Sequence, residues 1–532
     1  MDHAGCGSAE GEGVVSRRRR SRADGDPSPR LVLSRLLPEG RFVACEEIIA
    51  TGVSADAEEC RPGDVFVARL VGDVDGHDLV PRALARGAVG VVAERMVPTG
   101  GVPVCLVPST SRAHARLTHA VAGDPARHLQ VIAITGTSGK TTTAWLTASV
   151  LAEAGIRVGV LSDLGCLGAD DAEPVPADLG RPETLARWLR RLRDGGCTHA
   201  VVEVDSGMLA ADVLAGVECD TVVVTNLGTA HLDIHGTQAA YHAVKARILD
   251  TLGPDGCLIG NVDDGRVAAL LERRSEAGRG GSAITTGLKM PADVSAMPVE
   301  RSLHGQTFII EAGGHAAPIA VPTPVAAFVR DCQLAAAVGL RYRLPLERIA
   351  RGIEAAGSVS GRLERIDRGQ DHAAFVDHPT STHALAATLA GLRRLTSGRL
   401  VVLAEPACVA GLIDGGALEP SGPGHDAGDA AAVATARFCR RVLRCADACV
   451  VVPGTLVSES GGVGDIMAYA RIDRLLASLG GQDCLLVLGN PASGGLGPVE
   501  PDGDPLSLAA VVDGWLQLAH VPQPFAPGRR AA

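Results

Sequence analysis

Short runs of β-branched and other apolar residues alternate along this chain with longer stretches in which apolar positions recur at helical spacing. The run LQVIAI at 129–134 predicts a buried strand, and TTTAWLTASVLAEAG at 141–155 predicts a helix that ends at Gly155. Several further strand and helix patterns follow in the same order towards the C-terminus. Because alternating strands and helices form parallel sheets with helices on both faces, the pattern predicts an α/β fold.

The same pattern divides the chain into three blocks behind a short tail. The blocks span residues 31–125, 126–357 and 358–525. Residues 1–30 carry SRRRRSR at 16–22 with no apolar segment after it, which predicts a disordered basic tail and no secretory signal. Two Gly/Pro-rich stretches, 405–429 and 490–505, predict long loops.

Composition narrows the class of protein. Of 532 residues, 46% are hydrophobic but only 2% are aromatic, so aliphatic side chains must fill the cores. A net charge of −11 disfavours nucleic acid as a partner, and no apolar stretch reaches the roughly 18 residues of a membrane span. The 14 cysteines include no C-x-x-C, which predicts reduced thiols in a cytoplasmic protein, mostly in the core. Cys439, Cys445 and Cys449 are spaced as if they shared a helix face.

The stretch TGTSGKTTT at 135–143 lies between the predicted strand and helix. Gly136 and Gly139 allow the backbone to curl, so that N–H groups converge at a helix N-terminus, where an anion is favoured. Lys140 can reach the outer phosphates of a nucleotide, and the Thr141 hydroxyl can bind Mg²⁺. The spacing is shorter than G-x-x-x-x-G-K-[ST], since Ile134 stands at the first glycine position. We interpret the stretch as a phosphate loop, in preference to a glycine turn beside a surface lysine.

Polar side chains follow the predicted strands of the middle block. Glu203 ends one strand, Asn226 and then His231, Asp233 and His235 follow another, and Lys245 lies one helical turn after Tyr241. Ligands of parallel sheets bind beyond the carboxyl ends of the strands. Taken singly, these residues are typical of a surface ion pair, a helix cap and a solvated lysine. Together, behind a phosphate loop, they indicate a site for Mg²⁺-nucleotide and a second cation.

Three stretches give the chain a resemblance to a known family. TGTSGKTTT, TNLGTAHLDIHGTQAAYHAVKARIL and GNVDD resemble the middle domain of the Mur ligases, in particular their tripeptide synthetases. RPGDVFVARLVGDVDGHDLVPRALARGAVGVVAE is similar to the uridine-nucleotide domain, and SGRLERI at 360–366 to the start of the C-terminal domain. The resemblance implies three domains, of which 126–357 would bind ATP and 358–525 would be Rossmann-like. It further implies a monomer that uses Mg²⁺-ATP to join an amino acid to a UDP-muramyl peptide through an acyl phosphate.

The resemblance also assigns roles to individual residues. The implied ATP contacts are Gly136, Thr137, Ser138, Gly139, Lys140, Thr141, Thr142, Asn261, Arg362 and Asp377. The implied metal ligands are Thr141, Glu203, His231 and Lys245. Among these residues, Lys140, His231 and Lys245 would be catalytic, with Lys245 carbamylated. Asn261 would face the adenine, Arg362 a phosphate and Asp377 the ribose.

The sequence departs from the family pattern at several positions. In the middle domain the changed positions are Asp205, Gly207, Ala230 and Cys332. Ala57 and Glu58 stand where Ser and Arg are usual for contacts to the uridine nucleotide. Val-Pro-Gly-Thr at 452–455 replaces the Asp-Asn-Pro-Arg motif that grips the incoming amino acid. Three interpretations stay open: a ligase on the muramyl dipeptide, a ligase with another acid or amine, and a nucleotide-binding protein that has lost turnover.

Overall fold

A computed structural model describes most of the chain. The described residues are 30–72, 74–168, 171–176, 178–230, 232–276, 281–412, 427–452, 472, 474–489 and 512. The predicted basic tail, apart from Arg30, and the predicted loop 490–505 lie outside them. Three main sheets organise the described residues, and the strands of each sheet lie within one of the three blocks.

The first block forms a small sheet with strand order β2-β9-β8-β5-β4, parallel except for the antiparallel pair β2 and β9. Its strands are β1 Leu31–Val32, β2 Arg41–Val43, β3 Ile49–Ala50, β4 Gly52–Ser54, β5 Asp64–Val67, β6 Leu70–Val71, β7 Val74–Asp75, β8 Gly90–Ala93 and β9 Val104–Leu106. Its helices are α1 Leu33–Leu36, α2 Val80–Ala85 and α3 Thr110–Val121, with 3₁₀ turns at Gly76–Leu79 and Pro125–His128. Alternate side chains of β5 and β8 point into two apolar clusters, one on each face of the sheet.

The middle block forms an eleven-stranded sheet with strand order β13-β12-β11-β14-β10-β15-β16-β17-β18-β19-β20. Its strands are β10 Gln130–Thr135, β11 Val158–Ser162, β12 Gly165–Leu167, β13 Ala172–Glu173, β14 His199–Glu203, β15 Cys219–Val224, β16 Leu252–Asn261, β17 Ser282–Gly287, β18 Val294–Ser302, β19 Gly305–Ala312 and β20 His315–Val321. Its helices are α4 Lys140–Glu153, α5 Pro182–Asp194, α6 Ser206–Ala210, α7 Leu232–His235, α8 Gln238–Ala246, α9 Gly265–Glu276, α10 Ala326–Arg341 and α11 Leu346–Ala356, with a 3₁₀ turn at Arg247–Thr251. The strands from β11 through β14, β10, β15, β16 and β17 to β18 run parallel, so their carboxyl ends meet at one edge.

The third block forms a sheet with strand order β21-β22-β25-β23-β24, in which only β21 is antiparallel to its neighbour. Its strands are β21 Glu364–Ile366, β22 Ala373–Asp377, β23 Leu400–Ala404, β24 Ala448–Val451 and β25 Cys484–Leu488. Its helices are α12 Thr382–Leu395, α13 Pro406–Leu412 and α14 Ala427–Val442. One continuous apolar core joins this sheet to the middle sheet through α4, α10 and α11.

The α/β prediction is confirmed, and two local predictions are wrong. The predicted loop 405–429 is contradicted at its two ends, where α13 and the start of α14 lie, because apolar side chains such as Val409 and Leu412 are buried; residues 413–426 lie outside the described residues. Cys439 lies on α14, whereas Cys449 lies on β24, so the clustered cysteines do not share one helix face. All cysteines among the described residues are free thiols, and most are buried, as the sequence predicts.

Candidate active site

The stretch that opens the middle sheet has the backbone of a phosphate loop. Strand β10 ends at Thr135 and helix α4 begins at Lys140, with the glycines of the loop at φ +153° for Gly136 and +81° for Gly139. A Cβ on Gly136 would collide with the Thr225 side chain, and one on Gly139 with the Asp331 carboxyl group. A larger residue at either position would be disfavoured both by the positive φ and by the collision. The loop lies at the N-terminus of a 14-residue helix, where an anion is favoured.

The neighbouring strand fixes the middle of this loop. After β15, the Asn226 amide accepts a hydrogen bond from the Ser138 N–H at 3.1 Å and donates one to the Ser138 carbonyl at 2.9 Å. The Thr225 hydroxyl donates to the same carbonyl at 2.6 Å. Because both the N–H and the carbonyl of Ser138 are hydrogen-bonded to this segment, the loop is preorganised before a ligand binds. The free-energy cost of ordering the loop on binding is therefore small.

A buried carboxylate completes the phosphate end of the site. Glu203, at the end of β14, accepts hydrogen bonds from the Thr141 hydroxyl at 3.1 Å and from the Asp163 N–H at 3.2 Å. The Lys140 Nζ lies 3.7 Å from the same carboxylate. Burial, and then the charge of Asp163, raise the pKa of Glu203 above its usual value. The surface ion pair considered for this residue is excluded, because only 3% of it is exposed.

Thr141 and Glu203 suit a Mg²⁺ ion that is held jointly with phosphate oxygens. Mg²⁺ in nucleotide sites commonly takes one or two protein oxygens and completes its shell with phosphate and water. No group of three or more His, Cys, Asp or Glu able to hold a metal occurs among the described residues. His231, which the sequence predicted as a ligand, lies outside them.

Lys245 is the most unusual cation of the site. Only 2% of it is exposed, and its Nζ donates to the Thr135 hydroxyl at 3.2 Å and to the Gly136 carbonyl at 3.0 Å. Burial, and then the nearby charge of Lys140, lower the pKa of Lys245 to about 7. A solvated surface lysine is thereby excluded, and a large fraction of the side chain is a neutral amine near pH 7.

The third block closes the site from the opposite side. Arg362 donates to the Thr141 hydroxyl at 3.1 Å and to the His378 carbonyl, so it connects the third block to the phosphate loop. Asp377, at the end of β22, accepts hydrogen bonds from the Leu363 N–H at 3.1 Å and the Thr388 hydroxyl at 2.9 Å. Burial raises the pKa of Asp377.

The phosphate loop and the third block border a cleft of about 490 Å³ between the middle and third sheets. Among the predicted ATP contacts, the cleft is lined by Ser138, Gly139, Lys140, Thr141, Thr142, Asn261, Arg362 and Asp377. Gly136 and Thr137 precede them in the same loop, and Glu203 and Lys245 contact the loop from behind. The roles assigned to Asn261, Arg362 and Asp377 towards adenine, phosphate and ribose stay predictions.

The cleft also contains groups to which the sequence assigned no role. Asp331 and Arg330 enter it from α10, Asp263 from the turn after β16, and His383 from α12. Asp331 could not be assigned from the sequence, because an acid inside an apolar helix becomes informative only when its neighbours across space are known.

Comparison with known proteins agrees with this geometry. The family description "Mur ligase middle domain" matches residues 134–338. The UDP-N-acetylmuramoyl-L-alanyl-D-glutamate–2,6-diaminopimelate ligase of Bacillus licheniformis is 32% identical over 369 residues, which cover 68% of this chain and 74% of that protein. The UDP-N-acetylmuramyl-tripeptide synthetase of a Roseiflexus species is 31% identical over 368 residues, covering 66% and 72%. A solved UDP-N-acetylmuramoyl-L-alanyl-D-glutamate–2,6-diaminopimelate ligase has a TM-score of 0.66 at 19% identity, covering 93% of this chain and 100% of that one.

The chain belongs to the Mur ligase family, whose members are ATP-dependent ligases that form C–N bonds. The relatives above carry the names of the branch that extends a UDP-muramyl dipeptide to a tripeptide. ATP as a substrate, with small molecules as its partners in the reaction, follows from membership of this family. No helix in the described part of the chain combines the length and the hydropathy that a bilayer span requires.

Proposed function

We propose that this protein adds an amino acid to UDP-N-acetylmuramoyl-L-Ala-D-Glu, in the synthesis of the peptidoglycan precursor. The acceptor is taken from the printed names of the relatives, and the chemistry from the residues of the cleft. The domain boundaries near residues 125 and 357, a monomeric state and a cytoplasmic location are part of the same proposal.

The proposed reaction has two steps. The free carboxylate of the acceptor attacks the γ-phosphorus of ATP. The bond to the β–γ bridging oxygen breaks, ADP departs, and the acceptor becomes an acyl phosphate. The amine of the amino acid then attacks the acyl carbon, loses a proton and displaces phosphate, which leaves an amide. Catalysis of this kind depends on positioning and on neutralising charge. Lys140 and the loop N–H groups would hold the phosphates, and Arg362 would add a second cation from the third block.

Mg²⁺ would be held by Thr141 and Glu203 together with phosphate oxygens, and it would supply charge neutralisation at the transferred phosphate. Lys245 would contribute as a carbamate. Its neutral amine, available because its pKa is about 7, attacks CO₂, a C–N bond forms and a proton is released to solvent. The cationic side chain then becomes an anionic oxygen donor beside the phosphate loop.

One feature of the whole sequence carries the proposal that the site is still used for chemistry. The chain has 50 lysines and arginines, yet only three are lysines: Lys140, Lys245 and Lys289. Two of these three lie in the cleft region, and Lys245 is almost completely buried. An arginine cannot lose its proton in a protein, so only a lysine can react as an amine at this position. Apart from Lys289, a chain that otherwise uses arginine thus carries lysine only at the two positions where the proposed chemistry needs it.

A second candidate, a ligase of the same chemistry on another acid or amine, is favoured by the first block. Glu58 stands where the family has an arginine, and the exposed arginines Arg82 and Arg86 pair with it at 3.8 and 3.4 Å. A carboxylate at this position does not attract a pyrophosphate, although the two arginines place positive charge beside it. The replaced motif at 452–455 extends past Val452 into residues outside the described part, so its effect on the amino acid stays a prediction.

The test is phosphate release with Mg-ATP, UDP-N-acetylmuramoyl-L-Ala-D-Glu and a panel of amino acids that includes diaminopimelate and lysine. Release that depends on both substrates, and is lost in Lys245→Met but not in Lys289→Met, supports the proposal. Release with another acid-terminated acceptor selects the second candidate. Tight ATP binding without release for any acceptor or amine would instead favour a protein without turnover.

A further inference from the structure

A buried carboxyl group that the family pattern does not explain lies against the phosphate loop. Asp331, in the second turn of α10, lines the cleft, and only 9% of it is exposed. It comes so close to Gly139 that any side chain at position 139 would collide with it. Asp331 therefore lies next to the loop N–H groups and the N-terminus of α4, where the phosphates of the nucleotide would bind.

The cleft contains a cation that could neutralise Asp331, but the structure uses it elsewhere. The neighbouring Arg330 donates to the Asp263 carboxylate at 3.1 Å. The hydrogen bond that the structure gives Asp331 comes from the Thr143 hydroxyl and is long, at 3.4 Å. Burial raises the pKa of Asp331 well above its usual value. Burial with one long hydrogen bond favours the neutral form of this carboxyl group, and a neutral carboxyl group has an O–H donor that the carboxylate lacks.

We propose that Asp331 acts as a neutral carboxylic acid that donates a hydrogen bond to a phosphate oxygen of ATP held by the loop. The proposal rests on the proposed nucleotide site in this cleft. An ionised Asp331 would repel the phosphates and compete with them for the positive end of α4. A neutral acid does the opposite, because a donor facing an anionic oxygen makes one of the stronger hydrogen bonds. Asp331 is thus a nucleotide-binding residue supplied by a helix far from the phosphate loop in sequence.

The test compares Asp331→Asn, which keeps a donor without any acidic proton, with Asp331→Ala, which has none. Binding of Mg²⁺ with a non-hydrolysable ATP analogue to the full chain is measured by calorimetry near pH 7, without acceptor. We expect the Asn variant to stay within about threefold of the wild-type Kd, and the Ala variant to bind about ten- to a hundredfold more weakly. Thermal unfolding without nucleotide checks the fold, and Asp331→Leu replaces the Ala variant if that variant does not fold.

Lys140→Ala separates failure of this proposal from failure of the nucleotide site. If Lys140→Ala binds the analogue normally, the cleft is not the nucleotide site, and the proposed function fails with it. If Lys140→Ala loses binding while both Asp331 variants bind like the wild type, Asp331 makes no contact. Tighter binding by both Asp331 variants would mean that the group is ionised and repels phosphate. Equal weakening in both variants would show that shape matters and hydrogen-bond donation does not.

Discussion

Replacing Lys245 by methionine removes a buried amine from the site, and the perturbed pKa of this amine predicts the effect on stability. The folded pKa of about 7 lies well below the ordinary lysine value of 10.5. At about 1.4 kcal/mol per pKa unit, keeping Lys245 buried costs the folded state about 4 kcal/mol at pH 7. Methionine loses the two hydrogen bonds to Thr135 and Gly136, each worth about 1 kcal/mol. We therefore expect Lys245→Met to be more stable than the wild type by about 2 kcal/mol at pH 7, and the proposed role of Lys245 predicts that the variant is inactive.

The sign of the pH dependence follows from proton binding. Between pH 7 and about 10 the unfolded chain holds a proton on Lys245 that the folded chain has released. The stability of the wild type therefore rises with pH in this window, while that of Lys245→Met lacks this contribution. The burial cost falls to about 2 kcal/mol at pH 9, so the advantage of the variant should be close to zero there.

The assay is urea unfolding in CO₂-free buffer, so that the amine is not carbamylated. Tryptophan fluorescence reports on the middle block, because Trp145 lies on α4 and Trp188 on α5. A Trp515→Phe background removes the remaining tryptophan. Lys289→Met is the matched control, since Lys289 is exposed and should give no pH-dependent difference from the wild type. A Lys245→Met variant that is less stable than the wild type at pH 7, or whose difference does not change up to pH 9, refutes the reasoning.

Three further predictions concern the phosphate end of the site. Mg-ATP at one hundred times its Kd should stabilise the wild type by about 2.7 kcal/mol in thermal unfolding. Lys140→Ala should lose most of this stabilisation, whereas the control Lys289→Ala should keep all of it. Full stabilisation of Lys140→Ala would contradict the assignment of the loop. Gly139→Ala should lower the free energy of unfolding by about 2 kcal/mol or more, since it places a side chain at φ +81° and against Asp331. If the variant has wild-type stability in urea unfolding, the loop is farther from Asp331 than the structure shows. Glu203→Gln should keep the fold but weaken Mg-ATP binding in calorimetry about ten- to a hundredfold. The reason is that it removes the only carboxylate hydrogen-bonded to Thr141 among the described residues. An unchanged dependence of binding on Mg²⁺ would mean that the metal is held elsewhere.

Local sequence determined the phosphate loop and the general class of the fold. The loop was predictable because its shape depends on consecutive residues: a strand, two glycines at positive φ and a helix that begins at Lys140. The α/β class was predictable because short apolar runs, typical of strands, alternate with longer stretches of helical spacing, and few folds other than a parallel sheet covered by helices fit this order. The three antiparallel strands β18 to β20 were not predicted, since their side chains alternate between buried and exposed without an intervening helix.

Only the tertiary structure decided how the rest of the site is assembled. Thr141 contacts Glu203, 62 residues away, and Arg362, 221 residues away. Parallel strands bring their carboxyl ends to one edge whatever the chain length between them, so spacing along the sequence does not encode these contacts. The same holds for ionisation. Lys245 and Asp331 are ordinary charged residues in the sequence, and the pKa of each is shifted because the folded chain excludes water from it; for Lys245 the charge of Lys140 adds to the shift.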